Sequence, residues 1–191
     1  LVGSEMCIRD RPYHYLLQFF FNLRHDFFDS HPKWYWYLPL FLLMWGILIF
    51  VSWLVKKMPL ITGGGIPQTR GVINGRVAYK HPFIEVIAKF VGGILALSTG
   101  LSLGREGPSV QIGSYVGCLV SKWGRVLAGE RKQLLAAGAG AGLAAAFAAP
   151  LASSLLVIES IERFDAPKTA ITTLLAGVVA GGVASWLFPI N

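Results

Sequence analysis

Residues 34–55 run through 22 positions without a charged side chain. As a helix rising 1.5 Å per residue, such a run measures about 33 Å, enough to cross the hydrocarbon core of a bilayer. Trp34, Tyr35, Trp36 and Tyr37 make an aromatic belt at one end, and Lys56 and Lys57 close the other. Further uncharged runs lie at 90–103, 109–121, 134–158 and 169–190. Water is absent at that depth, so each run must bond its own backbone and is expected to be helical. Composition agrees: 14% of residues are charged and 54% hydrophobic, against about 25% charged in soluble domains.

The net charge of +7 could suggest nucleic acid. The basic residues fall instead in short clusters at 56–57, 70–80, 122–132 and 163–168, between the apolar runs. That is how cytoplasmic loops of a multi-pass protein of the cell membrane look, and no nucleic-acid partner is expected. If all four clusters face the cytoplasm, segments 81–121 and 133–162 must each enter the membrane and return. Broken helices meeting near the midplane do that, whereas simple crossings do not. Pro150 divides the run at 134–158 in the same sense.

Two motifs mark where the helices break. Gly104-Arg105-Glu106-Gly107-Pro108 sits between two uncharged runs. Each charge in it would cost about 2.5–3.5 kcal/mol at the centre of a spanning helix, so the pair is tolerable only beside protein or a wet path. Pro108 suits the first turn of a helix, where its missing N–H costs nothing, and Gly107 admits a close neighbour to the amides. Gly63-Gly64-Gly65-Ile66-Pro67 repeats the design. Free N–H groups at such helix starts carry about half a positive charge and form ready anion sites. Two of them aimed at one point would hold a small anion loosely enough for it to leave. Glu106 would compete with that anion when ionised and withdraw when protonated, which makes it a gate. Its direct ion pair with Arg105 is not the natural arrangement, because adjacent helical residues do not face each other.

Gly140-x-Gly142-x-x-Ala145, with Glu159 further on, fits a dinucleotide fingerprint and raises the alternative of a nucleotide-dependent enzyme. The residues before it make a poor strand and Pro150 interrupts the residues after it, so close packing of membrane helices explains the small residues better. Gly177, Gly181 and Gly182 offer a second helix-contact face. A membrane structural piece without transport is the remaining alternative. No enzymatic activity, cofactor or metal is expected: His14, His25, His31 and His81 lack ligand spacing, and Cys7 and Cys118 make no framework. Residues 1–12 match nothing in the rest of the chain and read as a non-native leader. Residues 13–28 resemble the tail of a helix before a turn at Ser30-His31-Pro32.

With these motifs in order, residues 41–188 resemble the CLC family of chloride channels and proton-coupled chloride transporters. The match is carried by Gly63-Gly64-Gly65-Ile66-Pro67, by Gly104-Arg105-Glu106-Gly107-Pro108 with the Ser-Val-Gln-Ile-Gly after it, and by the helix pair around Pro150 leading to Glu159. The resemblance implies an all-α, multi-pass membrane domain with re-entrant helices, passing chloride or another small anion, with or without protons, as a homodimer. It implies that both motifs bind the anion and that Glu106 is the gating glutamate for outer proton transfer. Gly64 stands where the family usually has a serine, Ala148 where it often has asparagine, and Ser160 where proton-coupled members have an internal glutamate. The loss at Ser160 favours a passive channel over an exchanger. The family's subunit is an inverted repeat, and residues 13–191 resemble its first half only, a truncated fragment.

Overall fold

The computed structural model describes residues 37–99, 101, 104, 106–147, 149–162 and 167–187, with positions 18, 19, 22, 25 and 26; at 37, 106, 128, 161 and 162 it describes the backbone alone. The expected leader at 1–12, the turn at Ser30-His31-Pro32, most of the helix remnant at 13–28, Arg105 and Ala148 lie outside the described residues.

From Tyr37 onward seven α-helices succeed one another among the described residues, and there is no strand among the described residues. They are α1 (Tyr37–Lys57), α2 (Ile66–Ile73), α3 (Pro82–Ser98), α4 (Glu106–Trp123), α5 (Ala128–Phe147), α6 (Pro150–Val157) and α7 (Pro167–Leu187). The expected breaks stand: α2 begins at Ile66, α4 at Glu106, and α6 at Pro150. Two of the expected loop clusters give up residues to helices. Arg131 and Lys132 of the cluster at 122–132 lie in the first turns of α5, and Lys168 of the cluster at 163–168 lies in the first turn of α7; before that cluster a π-helical turn, Ile158–Glu162, continues α6 and holds Glu159 and Glu162. Charge alone does not end these helices, because long basic stems can run along a helix surface and keep their heads in water. The run at 134–158 forms parts of two helices, not strand–turn–helix, which removes the structural context that a dinucleotide fingerprint needs.

The outermost helices carry their apolar side chains outward. Leu38, Phe41, Leu42, Leu43, Trp45, Ile49 and Phe50 of α1 are exposed, as are Ile171, Leu175, Val178, Val179 and Trp186 of α7. Apolar faces of that extent in water mark a binding or membrane surface. Helices α1, from Leu38, and α7 are long and apolar enough to cross a bilayer.

The centre of the fold is α4 against α5, brought together at four glycines with main chain against main chain. A Cβ added to Gly113 would land on the Gly138 carbonyl, one at Gly117 on that of Leu134, one at Gly138 on that of Gly113, and one at Gly142 on that of Ser109. Membrane helices lack a hydrophobic force to hold them together, so this close packing supplies much of the attraction. The small-residue run that mimicked a nucleotide motif is therefore a helix contact. On α7, Gly177 packs on Ser154 and Gly181 on the ring of Pro150, whereas Gly182 has open space. Gly138→Val should drive α4 and α5 apart and cost at least the usual overpacking penalty of about 1–3 kcal/mol. Gly182→Ala should be neutral or stabilise by up to about 1 kcal/mol, the helix-propensity gain. Thermal unfolding in detergent would compare them; equal midpoints for both variants would refute the packing account.

Candidate anion pathway

The loops before α2 and α4 owe their shape to their glycines. Gly63 and Gly65 have φ of 61° and 84°, left-handed values that side-chain-bearing residues rarely adopt. Gly65 caps α2, and its carbonyl accepts the first helical bond from Thr69 N–H at 2.9 Å. Pro67 lies in the opening turn, where it leaves no N–H unbonded. Pro108 occupies the corresponding first turn of α4.

The two loops meet through main chain. A Cβ on Gly107 would land on the Gly64 carbonyl, and one on Gly65 would stand 2.7 Å from the Gly107 oxygen. Beside this junction is a cavity of about 200 Å³. Its wall takes Gly63 and Gly64 from the first loop, Gly104 and Pro108 from the second, and Lys89 and Gly92 from α3, with Leu54 of α1. At Gly64 itself an added Cβ meets nothing within 4 Å, so the serine that the resemblance leads one to expect would fit there.

Lys89 fixes the first loop. It is 5% exposed, and its Nζ donates to the carbonyls of Ile61 and Gly63, each at 2.7 Å. In a trans peptide the C=O and the following N–H point in opposite directions. Turning the Gly63 carbonyl toward Lys89 therefore turns the Gly64 N–H away from it. Gln111, fully buried on α4, supports the same loop from below: its Nε2 donates to the Leu60 carbonyl at 2.6 Å and to the Tyr115 hydroxyl at 3.1 Å. Tyr115 in turn lies against Tyr79, ring centroids 4.2 Å apart. The Tyr79 hydroxyl is 3.4 Å from both Thr69 Oγ1 and Ser114 Oγ, and burial pushes its pKa up, so it stays a neutral phenol.

The structure thus gathers Gly63, Gly64, Gly104 and Pro108 around one cavity and puts Gly65 against Gly107. Ile66 and Pro67 open α2. The backbone of Glu106 is the first residue of α4, next to the junction; its side chain is outside the described residues, as is Arg105. Ser160 is not gathered in: it lies in the π-helical turn and is absent from the cavity wall. Lys89 and Gln111 escaped the sequence reading. Lys89 stands four residues after Glu85, which reads as an ordinary surface ion pair, and Gln111 is one polar residue in an apolar helix. What could have flagged Lys89 is its place at the edge of the uncharged run at 90–103.

A family model described as "Voltage gated chloride channel" matches residues 47–191. The chain belongs to the voltage-gated chloride channel family. Among its relatives, the H(+)/Cl(-) exchange transporter ClcA of Vibrio cholerae serotype O1 is 38% identical over 154 residues, which cover 77% of this chain and 33% of the relative. The same-named transporter of Citrobacter koseri is also 38% identical over 154 residues, covering 78% of this chain and 32% of that one. The crystal structure of a slow cyanobacterial Cl-/H+ antiporter superposes with a TM-score of 0.80 at 30% identity, over 99% of this chain and 44% of the antiporter. The all-helical fold with its broken helices is thus that of the voltage-gated chloride channel family. The chain spans about a third of the length of the curated relatives it matches.

Proposed function

We propose that this chain is the first repeat of a chloride-transporting membrane protein and supplies one wall of its anion pathway. The observation that carries the reading is the main-chain contact of Gly64 with Gly107 beside a cavity walled by both glycine–proline loops. Helix starts converge there, and their partial positive charges suit a small anion that must also leave. The buried Lys89 puts an amine donor at the wall. Glu106, at the first position of α4, acts as the gate, and no chemical transformation is involved.

Anion movement in this reading is coupled to protons, in keeping with the exchangers it is similar to. Ser160, at a position where the resemblance leads one to expect an acid, favours a passive channel as the second reading. The working unit is a multi-pass protein of the cell membrane, assembled as a homodimer from subunits longer than this chain, and residues 1–12 are foreign to it. The deciding experiment is reconstitution of the complete protein in liposomes with a chloride gradient. Proton uptake driven by the gradient supports the exchanger; chloride flux without protons supports the channel; no anion flux overturns both. A pathway at a repeat interface needs both repeats. This chain alone should therefore release no more chloride than protein-free vesicles, and robust efflux through it would refute the half-pathway assignment.

A further inference from the structure

Among the described side chains, Glu85 is the one buried acid, 5% exposed. Its Oε1 accepts a long bond from the His81 backbone N–H at 3.3 Å, and its Oε2 is buried without a hydrogen-bond partner. The first contact caps the start of α3 and accounts for one oxygen. The second oxygen is left bare. An ionised carboxylate in such a place costs several kcal/mol unless a cation or donors compensate it, and the nearby cations are committed elsewhere. Lys89, one turn along α3, donates to the carbonyls of Ile61 and Gly63. Arg131 of α5 reaches the Cys118 sulfur on α4, 3.4 Å away.

What lies within reach of the Glu85 charge instead is a pair of phenols, Tyr79 from the loop before α3 and Tyr115 from α4. Tyr115 is the partner that matters. Its oxygen accepts from Gln111 Nε2 at 3.1 Å, and its own hydrogen can turn either way. A hydroxyl donates to a carboxylate and accepts from a carboxylic acid, so Tyr115, close enough to feel the charge of Glu85, is chemically able to serve either charge state once its hydroxyl turns toward the bare Oε2. A fixed amide or a lysine could serve only one of them. Tyr115 also leads onward, through Gln111, to the Leu60 carbonyl below the first glycine loop. Glu85 itself lies in the first turn of α3, which follows directly on the loop with Arg76, Lys80 and His81, the basic side that the charge rule puts in the cytoplasm.

We propose that Glu85 is a proton-binding site on the cytoplasmic side of the anion pathway, taking up and releasing a proton at Oε2 with Tyr115 as its two-way partner. The proton comes from and returns to cytoplasmic water. Anion transport by the complete protein responds to cytoplasmic pH through this group, separately from Glu106. This rests on the reading that the complete protein moves anions.

Two measurements test it. The first needs no transport: infrared difference spectra of this chain in lipid, titrated with pH, in parent, Glu85→Gln and Tyr115→Phe. A carboxyl carbonyl band that titrates in the parent, is lost in Glu85→Gln and is displaced in Tyr115→Phe is expected. No titrating band lost in Glu85→Gln, or one unmoved by Tyr115→Phe, overturns the site. The second is anion flux through the complete protein against cytoplasmic pH. The parent should respond by up to about tenfold per pH unit, the limit for one proton, and Glu85→Gln should keep its flux but lose the response. A folded Glu85→Gln with the parent's response overturns the proposal. Should Glu85→Gln fail to fold, the parent and Tyr115→Phe spectra decide. A complete protein that passes no anion defeats the transport reading alone, and the spectra still decide whether Glu85 binds the proton.

Discussion

In the complete protein, Glu106→Gln is expected to pass anions at a rate that external pH hardly changes. Glu106 opens α4 immediately before the residue whose main chain touches Gly64. On the reading proposed above, its carboxylate, when ionised, competes with an ion arriving at the amides of that helix start. Protonation removes the competition. Glutamine keeps the size of the protonated acid and lacks the charge, so it holds the gate in its open condition. In the parent the balance between the two forms changes tenfold per pH unit. A flux limited by the gate should therefore fall by up to about tenfold for each unit of rise above the titration, and the mutant curve should be flat. Proton coupling should disappear with it. A structural role for Glu106 has another signature, poor expression and flux lost at every pH. The measurement is anion flux against external pH with expression as the control; a well-folded mutant that tracks the parent's curve removes Glu106 as the gate.

Gly107→Ala should be nearly as damaging, for a reason that has nothing to do with charge. One methyl group there would occupy the Gly64 carbonyl. The obstacle is main chain held by Lys89 through the neighbouring Gly63 carbonyl, so no side-chain rotation makes room for it. The cost should sit at or above the upper end of about 1–3 kcal/mol, the range for overpacked cores. The two helix starts should part, and anion binding should weaken with them. Gly104→Ala, only three residues away but with nothing within 4 Å of its added Cβ, is the matched control. Anion affinity by calorimetry and the unfolding midpoint should both drop for Gly107→Ala and hold for Gly104→Ala. Equal affinity in the two variants would show that the contact is not what positions the amides.

The helix breaks are legible in the sequence because proline and glycine act locally. A proline inside an uncharged run stops the preceding helix wherever the rest of the chain goes, and α2, α4 and α6 begin within two residues of Ile66, Gly107 and Pro150. The meeting of the two motifs is legible only as an analogy between their designs; their contact depends on how α3 returns the chain, which no local pattern encodes. Lys89 and Gln111 are hidden for the opposite reason. Each makes its bonds to carbonyls 28 and 51 positions away in sequence, and a polar residue in an apolar helix reads the same whether its partner is lipid headgroup, water or a distant loop. The start of α5 and the turn after α6 are misplaced by any reading that ends a helix at a charge.

Main chain lying on main chain between α4 and α5 also decides what can move. Slide α5 along α4 by one turn and Leu134 or Ala146, the next residues on the same face, comes to a place now held by Gly138 or Gly142 against the peptide groups of α4. The pair consequently has a single register and travels as one stiff plate. The contact of α1 with α3 is of a different kind, the Leu54 side chain lying 3.6 Å from the place of a Cβ on Gly92, and a leucine can change rotamer where a carbonyl cannot. On the transport reading proposed above, any movement of the cavity wall within this repeat is expected in α1 against α3 and not between α4 and α5. Distance labels placed across α4 and α5 of the complete protein should read one value with and without anion.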